Sequence, residues 1–185
     1  GTSSFTTTTA GDDITLNSGL AATGTISLNT AGATGDALVI NATGIDFTAS
    51  TVGGALTATA TTGNITDAGI VTVGGASSFT TTLANADILL DSTPAFTGAV
   101  SLSVNGATGN AEISNATITL DLGTVTTTLG GTLIIETNAG SITDTGVVTA
   151  SGTSSFTTTT AGDDITLNSL SAFTGPVSLS VNGAT

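Results

Sequence analysis

This sequence of 185 residues contains no lysine, arginine, histidine, cysteine, methionine, tryptophan or tyrosine. Without lysine or arginine the chain has no cationic side chain to bind phosphate. Nucleic acid is therefore excluded as a partner, and anionic lipid surfaces would repel the chain. Without histidine and cysteine it has no imidazole base, thiolate, disulfide or zinc-finger site. The chemistry that remains is that of hydroxyls, amides and carboxylates.

The charge of the chain is of one sign. Thirteen acidic residues give a net charge of −13, while 38% of the residues are apolar. That apolar fraction is too high for a disordered polyanion, so the chain can bury a core of valine, isoleucine, leucine, alanine and phenylalanine. No apolar run approaches the length of a membrane span. We therefore expect a folded protein that does not insert into membranes.

One phrase of eighteen residues, GTSSFTTTTAGDDITLNS, occurs unchanged at Gly1–Ser18 and at Gly152–Ser169. A close variant lies between them, and the three copies carry Phe5, Phe79 and Phe156 at nearly equal spacings. The chain is therefore interpreted as a single β-solenoid over residues 1–185, an excerpt of a longer repetitive chain. Its large repeats are placed at residues 1–75, 76–152 and, in part, 153–185.

The local sequence has the texture of β-strands. Short stretches such as VSLSV at Val100 and DITL at Asp164 alternate apolar and polar residues and are rich in β-branched side chains. Glycine, asparagine, aspartate and serine separate them every few residues. Valine marks recur along the chain from Val71 to Val177 at a spacing typical of solenoid turns. These features predict an all-β fold, a parallel β-helix (β-solenoid) of about seven turns with about 23–29 residues each, stacked about 4.8 Å apart.

Apolar residues that recur at like positions predict three inward files, in which like side chains stack from turn to turn. The valine file is predicted to contain Val71, Val100, Val125, Val148 and Val177. The isoleucine file is predicted to contain Ile14, Ile65, Ile88, Ile142 and Ile165. The phenylalanine and leucine file is predicted to contain Phe5, Leu56, Phe79, Leu133 and Phe156. On this interpretation, the large phrase recurs because the rod returns to the same place on its cross-section every third turn.

Two adjacent acid pairs are candidate sites: Asp12, Asp13, Asp163 and Asp164. A pair of carboxylates is the machinery of polysaccharide hydrolases, and carboxylate oxygens are ligands for calcium. Aspartate before a strand also satisfies backbone N–H groups in turns, and this is the interpretation that we favour. We predict no enzyme, no catalytic residue and no cofactor, and only loosely bound Ca²⁺ among the carboxylates; the four aspartates are weak metal candidates.

Threonine runs such as TTTT at Thr157 form a second class of candidate site. Threonine arrays on a flat solenoid face can order water, which favours an ice- or glycan-binding surface. Such a surface needs two parallel threonine files in register. The predicted positions of Ile134 and Glu136 beneath Thr157 and Thr159 would interrupt that array.

The motif GxITxxGxVTxxGxxSFTTTxAxxDITL, read at Gly140–Leu167, resembles the repeats of filamentous-haemagglutinin-like bacterial surface adhesins. The resemblance implies a right-handed β-helix that is exported unfolded, folds outside the cell and serves as a stalk or fibre. It implies an extracellular or cell-surface location, with host or neighbouring-cell surfaces as partners.

Our leading hypothesis is a structural rod segment of such an adhesin or of a self-assembling surface filament. Open solenoid ends are unpaired sheet edges, so other copies of the chain are expected as end-to-end or lateral partners. The alternatives are an ice- or glycan-binding solenoid and a carboxylate-based polysaccharide hydrolase.

Overall fold

Parallel β-strands make up the fold. The computed structural model describes residues 1–116, 118–127 and 131–183. The first eleven strands are β1 (Ser3–Thr6), β2 (Ile14–Leu20), β3 (Ile26–Asn29), β4 (Ala37–Asn41), β5 (Ile45–Phe47), β6 (Ser50–Val52), β7 (Leu56–Ala60), β8 (Ile65–Asp67), β9 (Val71–Val73), β10 (Ser77–Thr81) and β11 (Ile88–Leu90). The others are β12 (Ala95–Phe96), β13 (Val100–Val104), β14 (Ala111–Asn115), β15 (Leu120–Thr127), β16 (Leu133–Thr137), β17 (Ile142–Asp144), β18 (Val148–Ala150), β19 (Ser154–Thr158), β20 (Ile165–Thr166), β21 (Ala172–Phe173) and β22 (Val177–Val181).

The strands form two sheets around one core, and the paired strands run parallel. The 12-stranded sheet A contains β1, β3, β5, β6, β8, β9, β11, β12, β14, β16, β19 and β22. The 10-stranded sheet B contains β2, β4, β7, β10, β13, β15, β17, β18, β20 and β21. The prediction of an all-β parallel solenoid is confirmed. Nowhere in the described part of the chain is there a helix long and apolar enough to cross a membrane.

The turns are shorter and more numerous than the valine marks indicate. Residues paired between successive turns are 19 apart at Ala37 and Leu56 and 23 apart at Ser3 and Ile26, and the rod has about eight turns. The predicted turn length therefore agrees with the structure only at its lower bound. The longer spacings between marks overestimate the turn because Val148 and Val177, for example, lie in different sheets and do not pair.

The core follows from the alternation of side chains along each strand, since every second residue points inward. In β10 the inward residues Ser77, Phe79 and Thr81 are buried while the residues between them are partly exposed. Phe79 packs edge-on against Phe47 and Phe96, with ring centroids 6.4 Å and 5.6 Å apart. Each fully buried large side chain contributes about 1.5–3 kcal/mol, so the stack of turns forms one continuous apolar core.

The predicted valine file is correct for one pair only. Val125 pairs with Val148 across adjacent turns. Val71 pairs instead with Ser50, Val100 with Ser77 and Leu122, and Val177 with Ser154. Four of the five side chains are fully buried, whereas Val177 is 44% exposed because it lies on the last described strand.

The isoleucine file divides between the two sheets. Ile65 pairs with Ile88 in sheet A, whereas Ile142 pairs with Ile165 in sheet B. Ile14 belongs to neither of these pairs, and its partner in the next turn is Ala37. Ile165 is only partly buried, and the other four isoleucines are buried. The prediction is therefore right for neighbouring turns and wrong for the file as a whole.

The phenylalanine and leucine file is wrong as a stack. Its members are inward, with Phe5 only partly buried near the first turn. None of the five pairs with another, since each contacts a different residue of the adjacent turn. The observed partners are Leu28 for Phe5, Ala37 and Ser77 for Leu56, Ala58 and Leu102 for Phe79, Ala111 and Ser154 for Leu133, and Ile135 and Leu179 for Phe156.

The large repeat covers about three and a third turns, which explains these errors. From Phe79 the register passes through Leu102 and Val125 to Val148 in three turns of 23 residues, and Phe156 follows eight residues later in the other sheet. The phrase SSFTT thus lies in sheet B at β10 and in sheet A at β19, and VSLSV alternates likewise between β13 and β22. The predicted return to the same place every third turn is wrong. Successive repeats are related by about a third of a rotation of the rod.

Candidate functional site

The predicted acid pairs lie in the turns before β2 and β20 and comprise Asp12, Asp13, Asp163 and Asp164. Asp13 Oδ1 accepts a hydrogen bond from the backbone N–H of Asp36 at 2.8 Å, and Asp163 Oδ2 accepts one from the N–H of Gly140 at 2.7 Å. In both pairs a carboxylate satisfies a backbone donor of an adjacent turn. The strands that follow the pairs are seven layers apart in sheet B, about 34 Å, so the fold does not bring the pairs into one site.

A ladder of side-chain oxygens, which sequence reasoning missed, continues this arrangement at the corner before sheet A. Asn64 Oδ1 accepts the backbone N–H of Asp87 at 2.9 Å, and Asp87 Oδ1 accepts that of Asn110 at 2.8 Å. Asn110 Oδ1 in turn accepts the N–H of Thr132 at 2.9 Å. The signal in the sequence is an asparagine or aspartate directly before successive apolar strands. The ladder locks neighbouring turns together where strand pairing stops.

One carboxylate is buried without a full set of partners. Asp67 is 6% exposed, and its Oδ1 accepts the backbone N–H groups of Asp91 and Ser92 at 3.0 and 3.2 Å. Its Oδ2 has no hydrogen-bond partner among the described residues. Burial raises the pKa of Asp67 to about 6, the charge of Asp91 adds to the rise, and the two backbone donors oppose it.

The residue equivalent to Asp67 in the next repeat is fully satisfied. Asp144 is equally buried, but its Oδ2 also accepts the hydroxyl of Ser171 at 2.9 Å, and its Oδ1 accepts the N–H of Asn168 at 2.7 Å. Pro94 and Asp91 stand at the corresponding positions beside Asp67. A hydroxyl donor is thus absent beside Asp67 and a like charge is present, which accounts for the different environments of the two carboxylates.

The outer surface of sheet A is acidic. Glu112 lies beside Asp91 and Glu136, and its pKa is raised by partial burial and by the negative charges of these two neighbours. No cation compensates them, since the chain contains no lysine or arginine. Over the described ranges, no three acidic side chains converge as a metal site requires.

The outer surface of sheet B carries two columns of hydroxyls. The residues Thr57, Ser78 and Ser101 form one column, and Thr59, Thr80, Ser103, Thr126 and Thr149 form the other. Successive members are about 4.8 Å apart and the columns are about 6.6 Å apart, because they are two residues apart along each strand. Ser101 Oγ accepts a backbone N–H of Thr124 at 3.1 Å. The other seven hydroxyls find no partner within the described residues.

The threonine array is interrupted beneath Thr157, as expected, but by Glu136 and not by Ile134. Thr157 pairs with Glu136, and Ile134 pairs with Ser155, so the predicted register is shifted by two residues. These residues belong to sheet A, where β19 lies. The uninterrupted columns of sheet B were not predicted, because the strands that contribute them come from different phrases of the repeat.

A groove of about 460 Å³ opens at the corner that leads into β5 and β8. Its polar walls are Thr23, Asp46, Asn64 and Thr66, and Ile45 with Ala22 and several glycines provides apolar surface. Asp46 accepts the hydroxyl of Thr66 at 3.1 Å. This groove was not predicted from the sequence.

A family model described as repeats of unknown function (DUF5649) matches residues 34–103 and residues 108–180, which together make up more than half of the chain. The chain belongs to this family. The second DUF5649 match begins 74 residues after the first begins, which is the spacing from Phe5 to Phe79. It ends 77 residues after the first ends, which is the spacing from Phe79 to Phe156. No curated protein and no solved structure matches the chain.

The two DUF5649 units differ in length at the groove. Asn41 and Gly54 of the first unit correspond to Asn115 and Gly131 of the second, where the connection is three residues longer. The buried amides of Asn41 and Asn115 hold equivalent corners, since each Oδ1 accepts a backbone N–H of the preceding turn at 2.9 and 3.0 Å. The shorter connection coincides with the shortest turns of the rod and with the groove beside them.

Proposed function

We propose that this chain is a structural segment of a long extracellular rod, of the kind that bacterial adhesins or self-assembling surface filaments use as a stalk. The observation that carries the proposal is the continuous stack of about eight parallel turns around one core, built from DUF5649 repeats. Each turn is joined to the next by backbone hydrogen bonds and corner side chains. A rod of this kind is stiff and can be lengthened by adding repeats.

Adhesin-like export and a cell-surface location are parts of the same proposal. They are supported by the resemblance of Gly140–Leu167 to filamentous-haemagglutinin-like repeats and by the absence of cysteine, since the rod needs no disulfides. The partners that we propose are host or neighbouring-cell surfaces and other copies of the chain. Divalent cations such as Ca²⁺ would bind loosely and reduce the repulsion between copies that each carry a charge of −13.

The contact between copies is proposed at the end of the stack. Val177, Leu179 and Val181 of β22 are 44–59% exposed, whereas Val100, Leu102 and Val104 in the same phrase are at most 2% exposed because β15 covers them. A further turn added to β22 would bury these side chains and complete its backbone pairing. In this segment of 185 residues, the layer formed by β22 therefore presents apolar side chains and an unpaired strand edge.

Electron microscopy combined with sedimentation velocity tests this proposal. The wild-type chain should form thin particles that lengthen with protein concentration and with added CaCl₂. Leu179→Asp should abolish the lengthening, because it places a charge on the exposed end of the core. The matched control Ser180→Asp adds the same charge on the outer surface of the same strand and should lengthen like the wild type. Particles that stay one chain long under all conditions would contradict end-to-end assembly.

A second function is supported by the hydroxyl columns of sheet B. Seven free hydroxyls in a regular uncharged array offer donors and acceptors to ordered water or to the hydroxyls of a glycan surface. Thermal hysteresis and a glycan array would measure this activity directly. Replacing Thr59, Thr80 and Thr126 by lysine should remove it, whereas lysines at outward positions of sheet A should not. Equal loss with both sets would indicate a general charge effect and would argue against an array-specific function.

A further inference from the structure

The groove in the first DUF5649 unit contains both free donors and free acceptors. The amide of Asn64 uses its Oδ1 to accept the N–H of Asp87 at 2.9 Å, which orients its Nδ2 as a donor without a partner among the described residues. The carboxylate of Asp46 accepts one hydroxyl, that of Thr66, and retains further acceptor capacity. Both side chains are held by residues of an adjacent turn, so the groove is pre-organised.

The walls of the groove limit the chemistry of its ligand. An anion would be repelled by Asp46 and by the net charge of −13. An ammonium group only donates hydrogen bonds and would leave the amide of Asn64 unused. A hydroxyl both donates and accepts, so neighbouring hydroxyls on one molecule can donate to Asp46 and accept from Asn64.

The remaining surface fits the carbon face of such a ligand. Ile45, Ala22 and the glycines Gly24, Gly44 and Gly63 line the groove without long side chains. A volume of about 460 Å³ is within the range of small-molecule sites, which is about 300–1,000 Å³. A ring with hydroxyls at its edge can hydrogen-bond to the polar side chains of the groove, while the C–H groups on its face contact the apolar residues.

We propose that this groove binds one or two residues of a neutral saccharide, with Asp46 as the acceptor and Asn64 as the donor for adjacent hydroxyls. This site differs from the hydroxyl columns of sheet B. It does not depend on assembly into rods, because all of its walls come from one chain. The groove lacks aromatic rings, so the expected affinity is weak, with a dissociation constant of about 1 mM.

An NMR titration of the ¹⁵N-labelled chain tests this site. The chain has no tryptophan or tyrosine, so intrinsic fluorescence of those residues cannot report binding. The probes are glucose, galactose, N-acetylglucosamine and maltose, each added separately, with methylammonium chloride and inorganic phosphate as probes of the excluded classes. A saturable shift of the amide signals of Gly24, Gly44 and Gly63 with at least one sugar is the expected result. Saturation only with methylammonium or phosphate, or no saturation with any sugar, would overturn the proposal.

Variants locate the site within the chain. Asp46→Asn and Asn64→Asp should each weaken sugar binding at least about tenfold, since the first removes the charge from one acceptor and the second removes the amide donor. Asn64→Asp keeps the acceptor for the N–H of Asp87, so the corner should be preserved. The matched control is Asp121→Asn, which removes the equivalent outward carboxylate of the second unit and should leave binding unchanged. Equal weakening by Asp121→Asn would place the binding elsewhere and overturn the assignment.

Discussion

At the scale of single residues, the two repeats make the chain its own control. The same backbone position carries different side chains in each repeat, while its neighbours are largely unchanged. Asp67 and Asp144 are both buried at the end of an ITD strand, yet only Asp144 has a donor for each carboxylate oxygen. A difference in their behaviour can therefore be assigned to one or two named neighbours.

The pair Asp67 and Asp144 leads to a prediction about pH. The pKa of Asp67 is raised from 3.8 to about 6, so the folded state holds its proton more tightly than the unfolded state does. This stabilisation is complete below about pH 4 and is lost as the pH rises to about 6. Asp67→Asn should therefore be more stable than the wild type above pH 6 and equally stable near pH 4. Urea unfolding followed by circular dichroism across this pH range measures the difference.

The opposite result is expected for the equivalent residue. Asp144→Asn weakens hydrogen bonds from Asn168, Ser169 and Ser171, and should lower the free energy of unfolding by about 1–3 kcal/mol at pH 7. If both variants destabilised the chain equally, the missing donor beside Asp67 would have no energetic consequence.

A second prediction concerns Asn85, which has a positive φ of 65°. The equivalent residues, Gly11 and Gly162, have φ values of 85° and 88°, so the turn requires a left-handed residue in all three copies. Asn85→Val should cost about 1–2 kcal/mol, since a β-branched residue is disfavoured there. Asn85→Gly should change stability by only a few tenths of a kcal/mol. Chemical unfolding of both variants would reveal whether the backbone or the asparagine side chain matters.

At the scale of the strand, the core files tolerate polar residues at fixed positions. Ser77 in sheet B and Ser154 in sheet A are equivalent, inward and at most 2% exposed. Their hydroxyls have no hydrogen-bond partner in the described ranges. A buried hydroxyl without a partner costs about 1–3 kcal/mol. Its position in the file between larger apolar residues explains why a small side chain is nevertheless used.

This arrangement predicts that replacing the buried serines by alanine stabilises the fold. Ser77→Ala and Ser154→Ala should each raise the free energy of unfolding by about 1 kcal/mol or more, because alanine fills nearly the same volume without a polar atom. The outward neighbour Ser78 is the control, and Ser78→Ala should be neutral. Thermal unfolding midpoints would measure all three. A loss of stability in Ser77→Ala would mean that the hydroxyl has a partner, such as a bound water.

The strand scale also explains how much of the fold was readable from the sequence. The strands, their parallel pairing and the inward residues follow from alternation and turn residues, which are local properties. Val125 and Val148 were paired correctly because one turn separates them. Phe79 and Phe156 were not, because the repeat between them is no whole number of turns and the sequence does not mark where each turn closes. The groove and the hydroxyl columns depend on that closure, so neither was predictable.

At the scale of the whole molecule, the rotation of about a third of a turn between repeats predicts which surfaces share a side. Ser78 and Ser101 are neighbours on sheet B, and Ser155 and Ser178 are neighbours on sheet A. Pairs of cysteines at Ser78 and Ser101, or at Ser155 and Ser178, should give pyrene excimer fluorescence after labelling. The pair Ser78 and Ser155 should give none, although these serines are equivalent in the repeat. The chain has no native cysteine, so the labels report only these positions.

An excimer from Ser78 and Ser155 in the isolated chain would contradict this rotation between repeats. It would favour repeats that return to one face, as a simple three-turn period requires. The two neighbouring pairs serve as positive controls, because they depend only on pairing between adjacent strands. Dilution separates signals within one chain from signals between associated chains.

The SSFT phrase recurs along the rod in alternate sheets. SSFT at β1 and SSFTT at β19 lie seven layers apart in sheet A, a distance of about 34 Å. The copy at β10 lies in sheet B, roughly midway between them. Because each repeat is turned by about a third of a rotation, anything that recognises this phrase would meet successive copies on different sides of the rod. A bivalent binder would bridge separate rods more readily than it would span two sites on one rod.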